Sequence, residues 1–446
     1  MNRGARVEPR ARLGAPAVPA AASGMPWLFL LVTLIGAWFT FNAYLPQRRT
    51  GPLVVPSFFA GWLTSELSAH HFAWQLAATL FFVWAGALRA WPGWVGLAVT
   101  LASWLGLLML GRIAERAAPA VEAALQEALG PDYTGRILPE VAARLGAPEP
   151  PGRHLVPFLL FDRGVRVTRD IQYAPGAGRR HRLDVYAPAS GARDGPVLLQ
   201  VHGGGWVIGN KREQALPLMN HLAARGWICV AANYRLSPRA TFPDHLIDLK
   251  RALCWIREQI AEFGGDPCFV ATSGGSAGGH LSSLLALTAG DPEYQPGFEE
   301  VDTSVRACVP FYGVYDLTNQ FGLQAQPGID RFFGRMVLKK RFAEEPDAFR
   351  RASPMHRIHA DAPPFFVIHG SHDSLAPVEE ARHFAKLLRE TSKAPVAYAE
   401  IPGAQHAFEV FHSRRTTHVV RAVGRFLARI YSEYLSERDA GERGGP

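Results

Sequence analysis

Apolar positions along this 446-residue chain fall into two regimes. Up to about residue 112 they form long runs almost without charge. Beyond about residue 160 they form short runs separated by amphipathic stretches.

In the first regime, Trp27 to Leu45 is an uncharged stretch of 19 residues, long enough to cross a bilayer as a helix. Phe72 to Leu88 and Trp94 to Leu110 give 17 residues each, near the lower limit for a span. Between them Arg89-Ala90-Trp91-Pro92-Gly93 reads as a tight helical hairpin with an interfacial tryptophan. Pro52 and Pro56 weaken Leu53 to Leu63 as a span and assign it to the interface or to packing on its neighbours. The expectation is an all-α transmembrane region over residues 25–112 with three spans, after a basic, disordered segment 1–24. A cleaved signal peptide fits poorly, because the first apolar run is too long and two more follow.

In the second regime, Val165 to Tyr173 alternates with period two, breaks at Pro175-Gly176-Ala177-Gly178 and resumes over Leu183 to Tyr186, the pattern of an antiparallel hairpin. Continuous apolar runs near 197, 228, 268, 305, 365 and 396 then alternate with helical patterns near 212, 244, 277, 378 and 416. That predicts an α/β fold over residues 161–436, a mostly parallel eight-stranded sheet flanked by helices, then a disordered tail over 437–446. Residues 113–160 form a helical linker: Ala117 to Leu129 ends at Gly130-Pro131, and Pro148 to Gly152 marks a boundary.

Chemistry enters at Gly274-Gly275-Ser276-Ala277-Gly278-Gly279, which follows the apolar run Cys268 to Thr272. A serine between glycines is often only a helix cap, but a strand reversing sharply into a helix also needs small neighbours on both sides. Ser276 has partners in a workable order. Upstream, His202-Gly203-Gly204-Gly205-Trp206 follows Val197 to Val201 and can turn backbone N–H groups toward a developing oxyanion. Downstream, Asp373 follows the strand-like Pro364 to Gly370, and His406 lies in a loop after Pro395 to Ile401. The order Ser, Asp, His is that of α/β-hydrolases. Among 16 histidines His406 stands in the right loop, whereas His369 and His372 read as packing or polar neighbours of the acid.

With these motifs in place, residues 160 to 435 resemble an α/β-hydrolase of the hormone-sensitive-lipase-like carboxylesterase group, whose signatures are the His-Gly-Gly-Gly loop and the Gly-x-Ser-Ala-Gly-Gly elbow. Asn233-Tyr234-Arg235-Leu236-Ser237-Pro238, Phe242-Pro243, Asp244 and Asp248 belong to the same resemblance. Gly275 departs from it, since many members carry Asp there, and His369 to Asp373 is more similar to the feruloyl-esterase-like and formamidase branches. The resemblance implies an ester hydrolase acting through an acyl-enzyme, or a lipase, amidase or formamidase, and leaves the substrate open. The rival of another class is a catalytically silent hydrolase-fold binding protein.

The roles that follow are Ser276 as nucleophile, His406 as base, Asp373 as its orienting acid, and the N–H groups of Gly204, Gly205 and Ala277 as oxyanion hole, with His202 and Gly203 shaping the loop. Trp206, Phe332 and Phe333 are expected to wall an apolar pocket. The long connection from Leu317 to Ala362 reads either as that wall or as a helix pair burying its aromatics. Residues 113–160 read either as a cap, as in related esterases, or as a spacer.

The net charge of +8 and pI near 9.5 come from dispersed basic residues without a nucleic-acid reading motif, so the partners expected are a small-molecule or lipid ester and an anionic bilayer, not nucleic acid. Arg3, Arg6, Arg10 and Arg12 favour a cytoplasmic N-terminus and an extracytoplasmic hydrolase domain, while Arg48 and Arg49 argue the other way. Cys229, Cys254, Cys268 and Cys308 lie in predicted strands or a helix and read as buried thiols without zinc spacing. No metal and no cofactor are implied.

Overall fold

The computed structural model describes residues 20–47, 54–146, 152–324 and 328–443. The expected disorder of residues 1–19, the basic residues before the first span, Arg48 and Arg49, and most of the Pro148 boundary lie outside the described residues.

Eight strands form one sheet: β1 (Val165–Gln172), β2 (Arg182–Pro188), β3 (Gly195–Val201), β4 (Ile228–Ala232), β5 (Gly265–Gly275), β6 (Ala307–Phe311), β7 (Phe365–Gly370) and β8 (Val396–Ile401). Their order is β1-β2-β4-β3-β5-β6-β7-β8, with β2 antiparallel to both neighbours and the remaining pairs parallel. The central strands read as unbroken apolar runs because both faces are covered. Val197 and Leu199 point into one core, with Leu246, Leu253, Leu281 and Phe384. Leu198 points into the other, with Leu125, Leu218, Val423 and Phe426. The first core lies under α8 (Asp244–Gln259), α9 (Ala277–Leu287) and α12 (Val378–Thr391); the second lies under α5 (Ala117–Leu129), α7 (Leu216–Ala223) and α13 (Arg414–Arg443).

Helix α5 therefore belongs to the hydrolase layers. Val121, Leu125 and Leu129 recur every four residues and are buried against α13 and β8. A short α6 (Pro139–Leu145) adds Val141 to the same core. At the other end of the chain α13 continues to Arg443, past residue 436 where a disordered tail was expected. Arg438 over the ring of Tyr434 supports the extra turns. The buried-thiol expectation holds for Cys229 and Cys308. Cys254 is partly exposed, and Cys268 is exposed because the first residues of β5 lack a full set of strand partners.

Four helices precede the sheet domain: α1 (Ala20–Tyr44), α2 (Val54–Glu66), α3 (Ser68–Trp84) and α4 (Trp91–Glu115). α1 starts upstream of residue 25, where the helical region was expected to begin. Gly24–Tyr44 and the helical run from Trp91 are long and apolar enough to cross a membrane, while α3 has 17 residues. α1, α3 and α4 run antiparallel in turn. At one end Trp27 meets Trp91 edge-on at 5.2 Å and Phe29 packs on Phe82. At the other end Ala43, His70 and Glu115 bond to His372, Leu155 and Arg414 of the hydrolase.

The outer faces of α1 and α4 are apolar, and the interior mixes apolar clusters, Phe29 with Phe82 and Ala43 with Leu107 and Leu110, with a few polar side chains. Leu28, Leu31, Leu34, Leu101, Leu105 and Leu108 are about half exposed, whereas Thr40, Gln75 and Ser103 are buried. Thr40 and Ser103 share a hydrogen bond of 2.8 Å, and Tyr44 donates to the carbonyl of Gly106 at 2.7 Å.

Candidate active site

β5 is a central strand, and its last residue, Gly275, is followed directly by Ser276 and then α9. Ser276 has φ 58° and ψ −122°, a backbone conformation unusual for any residue with a side chain. It is held by its N–H to the carbonyl of Phe311 at 3.0 Å and by the N–H of His280 to its own carbonyl at 3.0 Å. A Cβ on Gly278 would lie 2.2 Å from the carbonyl oxygen of Val201, and one on Gly274 would lie 2.4 Å from that of Gly278. The small residues flanking the serine are thus required by backbone packed against backbone.

The glycine loop follows β3, the strand beside β5. Gly204 (φ 111°) and Gly205 (φ 59°) lie in the left-handed half of backbone space. Their N–H groups bond to none of the described residues and so are free for a ligand. Ala277 is the first residue of α9, where the N–H has no partner within the helix. The N–H of Gly203 is already engaged by Oε1 of Gln214 at 2.6 Å, which fits a shaping role. Beyond it the loop is pinned: Arg180 donates to the carbonyl of Gly209 at 2.9 Å, and buried Lys211 pairs with Asp184 at 2.9 Å. His202 stacks on Tyr234 at 4.4 Å beneath the loop.

Asp373 follows β7 and His406 follows β8, on adjacent strands. Oδ2 of Asp373 lies 2.7 Å from Nδ1 of His406, and Oδ1 accepts the N–H groups of Leu375 and Ala376 at 2.8 Å each. Nε2 of His369 is 3.2 Å from the same Oδ2. Burial alone would raise the Asp373 carboxyl, but the charge of His406 and the bonds from His369 and His406 outweigh it and hold it far below the usual carboxylate range. With Nδ1–H of His406 given to Asp373, Nε2 is the basic nitrogen. His372 points elsewhere, its Nδ1 lying 3.2 Å from the carbonyl of Ala43.

One relationship was not legible in the motifs. The ring of Tyr312, just after β6, packs 4.5 Å from that of His406, and its hydroxyl donates to the buried carboxyl of Glu409 at 2.5 Å. Burial pushes Glu409 up to about 7, against the hydrogen bond from Tyr312.

Ser276 and His406 both line a cavity of about 460 Å³ together with Gly204, Gly205, Trp206, Phe332 and Phe333. The three aromatic wall residues named from sequence are therefore brought together at one site. The Leu317–Ala362 connection serves both roles considered for it. Its short α10 (Ile329–Phe332) supplies wall, while Phe333, Val337 and Phe349 are buried in the core beside α11 (Pro346–Arg351). Phe321 and Phe342 are partly exposed. No described residue of 113–160 lines the cavity. Glu380 adds a polar patch to the wall, accepting from Gln324 at 2.8 Å. Burial pushes it up to about 8, which favours its neutral form. Among the described residues no group of three or more His, Cys, Asp or Glu is arranged to hold a metal ion.

The chain is 45% identical over 421 residues to the probable carboxylic ester hydrolase LipM of Mycobacterium tuberculosis, covering 94% of this chain and 95% of that protein. It belongs to the hormone-sensitive-lipase-like carboxylic ester hydrolases. The esterase is also 44% identical to the esterase LipQ of the same organism over 336 residues, covering 73% of this chain and 77% of LipQ. The BD-FAE family model matches residues 183–388, which take in Ser276 and Asp373 and stop short of His406. A solved truncated carbohydrate esterase from gut microbiota superposes on the esterase with TM-score 0.53 at 22% identity, covering 59% of this chain and 96% of that one, a likeness of fold.

Proposed function

We propose that this esterase is held in the bilayer by α1, α3 and α4 and hydrolyses short to medium acyl or aryl esters through Ser276, His406 and Asp373. The observation that carries the reading is the 2.7 Å bond from Asp373 to His406, with His406 lining the same cavity as Ser276 on its strained turn.

Oγ of Ser276 attacks the ester carbonyl carbon while Nε2 of His406 takes its proton. The carbonyl oxygen becomes an oxyanion facing the N–H groups of Gly204, Gly205 and Ala277, each worth about 3 kcal/mol in the transition state. The bond to the alcohol then breaks, and His406 returns the proton to the leaving oxygen. Water attacks the acyl-enzyme, His406 taking its proton, and the acid departs. Asp373 orients the imidazole and balances its positive form.

Membrane anchoring is supported by the half-exposed leucines on the outer faces of α1 and α4, by the length and apolar composition of those helices, and by the hydrolase lying at one end of the bundle. Leu155, Phe158 and Phe161, each about 60% exposed, lie at that same end, where Leu155 bonds to His70 at the start of α3. Three spans with the basic N-terminal segment in the cytoplasm would leave the hydrolase on the extracytoplasmic side, the topology proposed here although Arg48 and Arg49 argue the other way. These exposed apolar residues favour a second reading of the substrate, an acylglycerol laid out at the membrane surface.

The test compares p-nitrophenyl esters of increasing chain length, emulsified acylglycerol and aryl amides as substrates of the detergent-solubilised protein, alongside Ser276→Ala. Soluble short-chain esters are expected to turn over fastest and the variant to be inactive though folded. Preference for acylglycerol would select the second reading, and preference for amides would overturn both.

A further inference from the structure

We infer that the N-terminal helix bundle is a working part of the active site, with Trp62 of α2 as the positioning residue for the loop that carries His406. The inference rests on His406 being the base.

The loop runs from Pro402, after β8, to Ser413, before α13. Nε1 of Trp62 donates to the carbonyl of Ala407 at 3.0 Å. Ala407 is the residue after His406, lines the cavity, and has φ 59°. An alanine in the left-handed region costs about 1 kcal/mol and persists only where its surroundings impose it. The tryptophan N–H is one such constraint, applied one residue from the imidazole. The indole is itself fixed, stacked on Phe58 and packed at 5.3 Å on Phe411 within the same loop.

The two ends of the loop are clamped from the same helix. Glu66, the last residue of α2, accepts from Ser413 at 2.8 Å and pairs with Arg415 at 2.9 Å, both charged side chains being fully buried. Arg415 also donates to the carbonyl of Ser65 at 2.8 Å and to that of Pro402 at 3.0 Å, so one guanidinium ties α2 to the start of the loop. α4 closes the gap, because a Cβ on Gly403 would lie 3.0 Å from Cγ2 of Ile113. Next to Asp373, His372 is bonded to Ala43 of α1. The bundle thus grips the loops of both the acid and the base. Breaking a buried ion pair such as Glu66–Arg415 would threaten folding itself, whereas Trp62 acts at the periphery of the loop and can be tested in the folded enzyme.

The experiment uses the full chain in phospholipid nanodiscs, with p-nitrophenyl butyrate as substrate and a fluorophosphonate to count active sites. Trp62→Phe keeps the ring and removes the N–H; Trp62→Ala removes both. Expected is a fall in kcat per titrated site of about 3-fold to 10-fold in Trp62→Phe, the size of one hydrogen bond. Trp62→Ala should lose about 10-fold to 100-fold, as displacement of a catalytic group does, with KM changed less than about twofold and the acid limb of the kcat/KM pH profile displaced. Unchanged kcat per titrated site in both variants, even with fewer titratable sites, would mean that Trp62 only stabilises the fold and would overturn the inference while leaving the triad standing. A wild-type protein that does not react with the fluorophosphonate would overturn both.

Discussion

The hydroxyl of Tyr312 stands 2.6 Å from where a Cβ on Gly275 would lie, with two further ring atoms of Tyr312 at 2.9 Å. A side chain before the nucleophile and this tyrosine therefore exclude one another. The phenol instead donates to the buried carboxyl of Glu409 at 2.5 Å. Gly275→Ala is expected to destabilise the protein by about 1 to 3 kcal/mol as an overpacked core position and to lower kcat through the displaced elbow. A double-mutant cycle with Tyr312→Ala, followed by thermal unfolding and kcat, should be strongly non-additive. Additive effects would separate the two residues.

Glu409 and Glu380 are held at about 7 and about 8 by burial, above the ordinary glutamate value of 4.5. Both bind a proton more tightly in the folded chain than in the unfolded one. The stability they leave intact below the ordinary value is lost as pH rises through these folded values. Glu409→Gln should flatten the decline in stability between pH 5 and 8, by about 1 kcal/mol or more at the alkaline end. Denaturant melts at several pH values will read this, and an unchanged slope would contradict it.

Asp373 acts in the opposite sense. Its depressed folded pKa contributes stability above the ordinary aspartate value, lost as pH falls toward the folded value. Asp373→Asn should remove that contribution and lower kcat by about 10⁴-fold, because the amide no longer fixes the tautomer of His406. Steady-state kinetics together with acid titration of stability will show whether both effects appear in one variant.

Gln214 holds the N–H of Gly203 at 2.6 Å and has no other visible duty in the glycine loop. Gln214→Ala is expected to cost about tenfold in kcat, with little change in melting temperature, through a loosened oxyanion loop. A larger loss of stability than of rate would assign Gln214 to folding.

Much of the site was legible because its chemistry demands particular residues at particular turns. The strand-turn-helix context of Ser276 requires glycines whose reason is visible as Cβ clashes of 2.2 and 2.4 Å, and strand ends placed Asp373 and His406 on neighbouring strands. Tyr312 and Glu409 were not legible, because a tyrosine after a strand and a glutamate in a loop carry no spacing that joins them across 97 positions. The role of residues 113–160 was also hidden. The stripe of Val121, Leu125 and Leu129 announces a buried face without saying what buries it. The grip of α2 on the His406 loop rests on single bonds such as Trp62 to Ala407, 345 positions apart, that no local pattern encodes.

The central claim is that Ser276 is the nucleophile. Its most direct measurement is mass-spectrometric mapping of the fluorophosphonate adduct on the full-length, folded enzyme. The account predicts a single adduct on the peptide containing Ser276, formed in step with loss of ester turnover and absent from Ser276→Ala. An adduct on another residue, or full turnover in the variant, would contradict it.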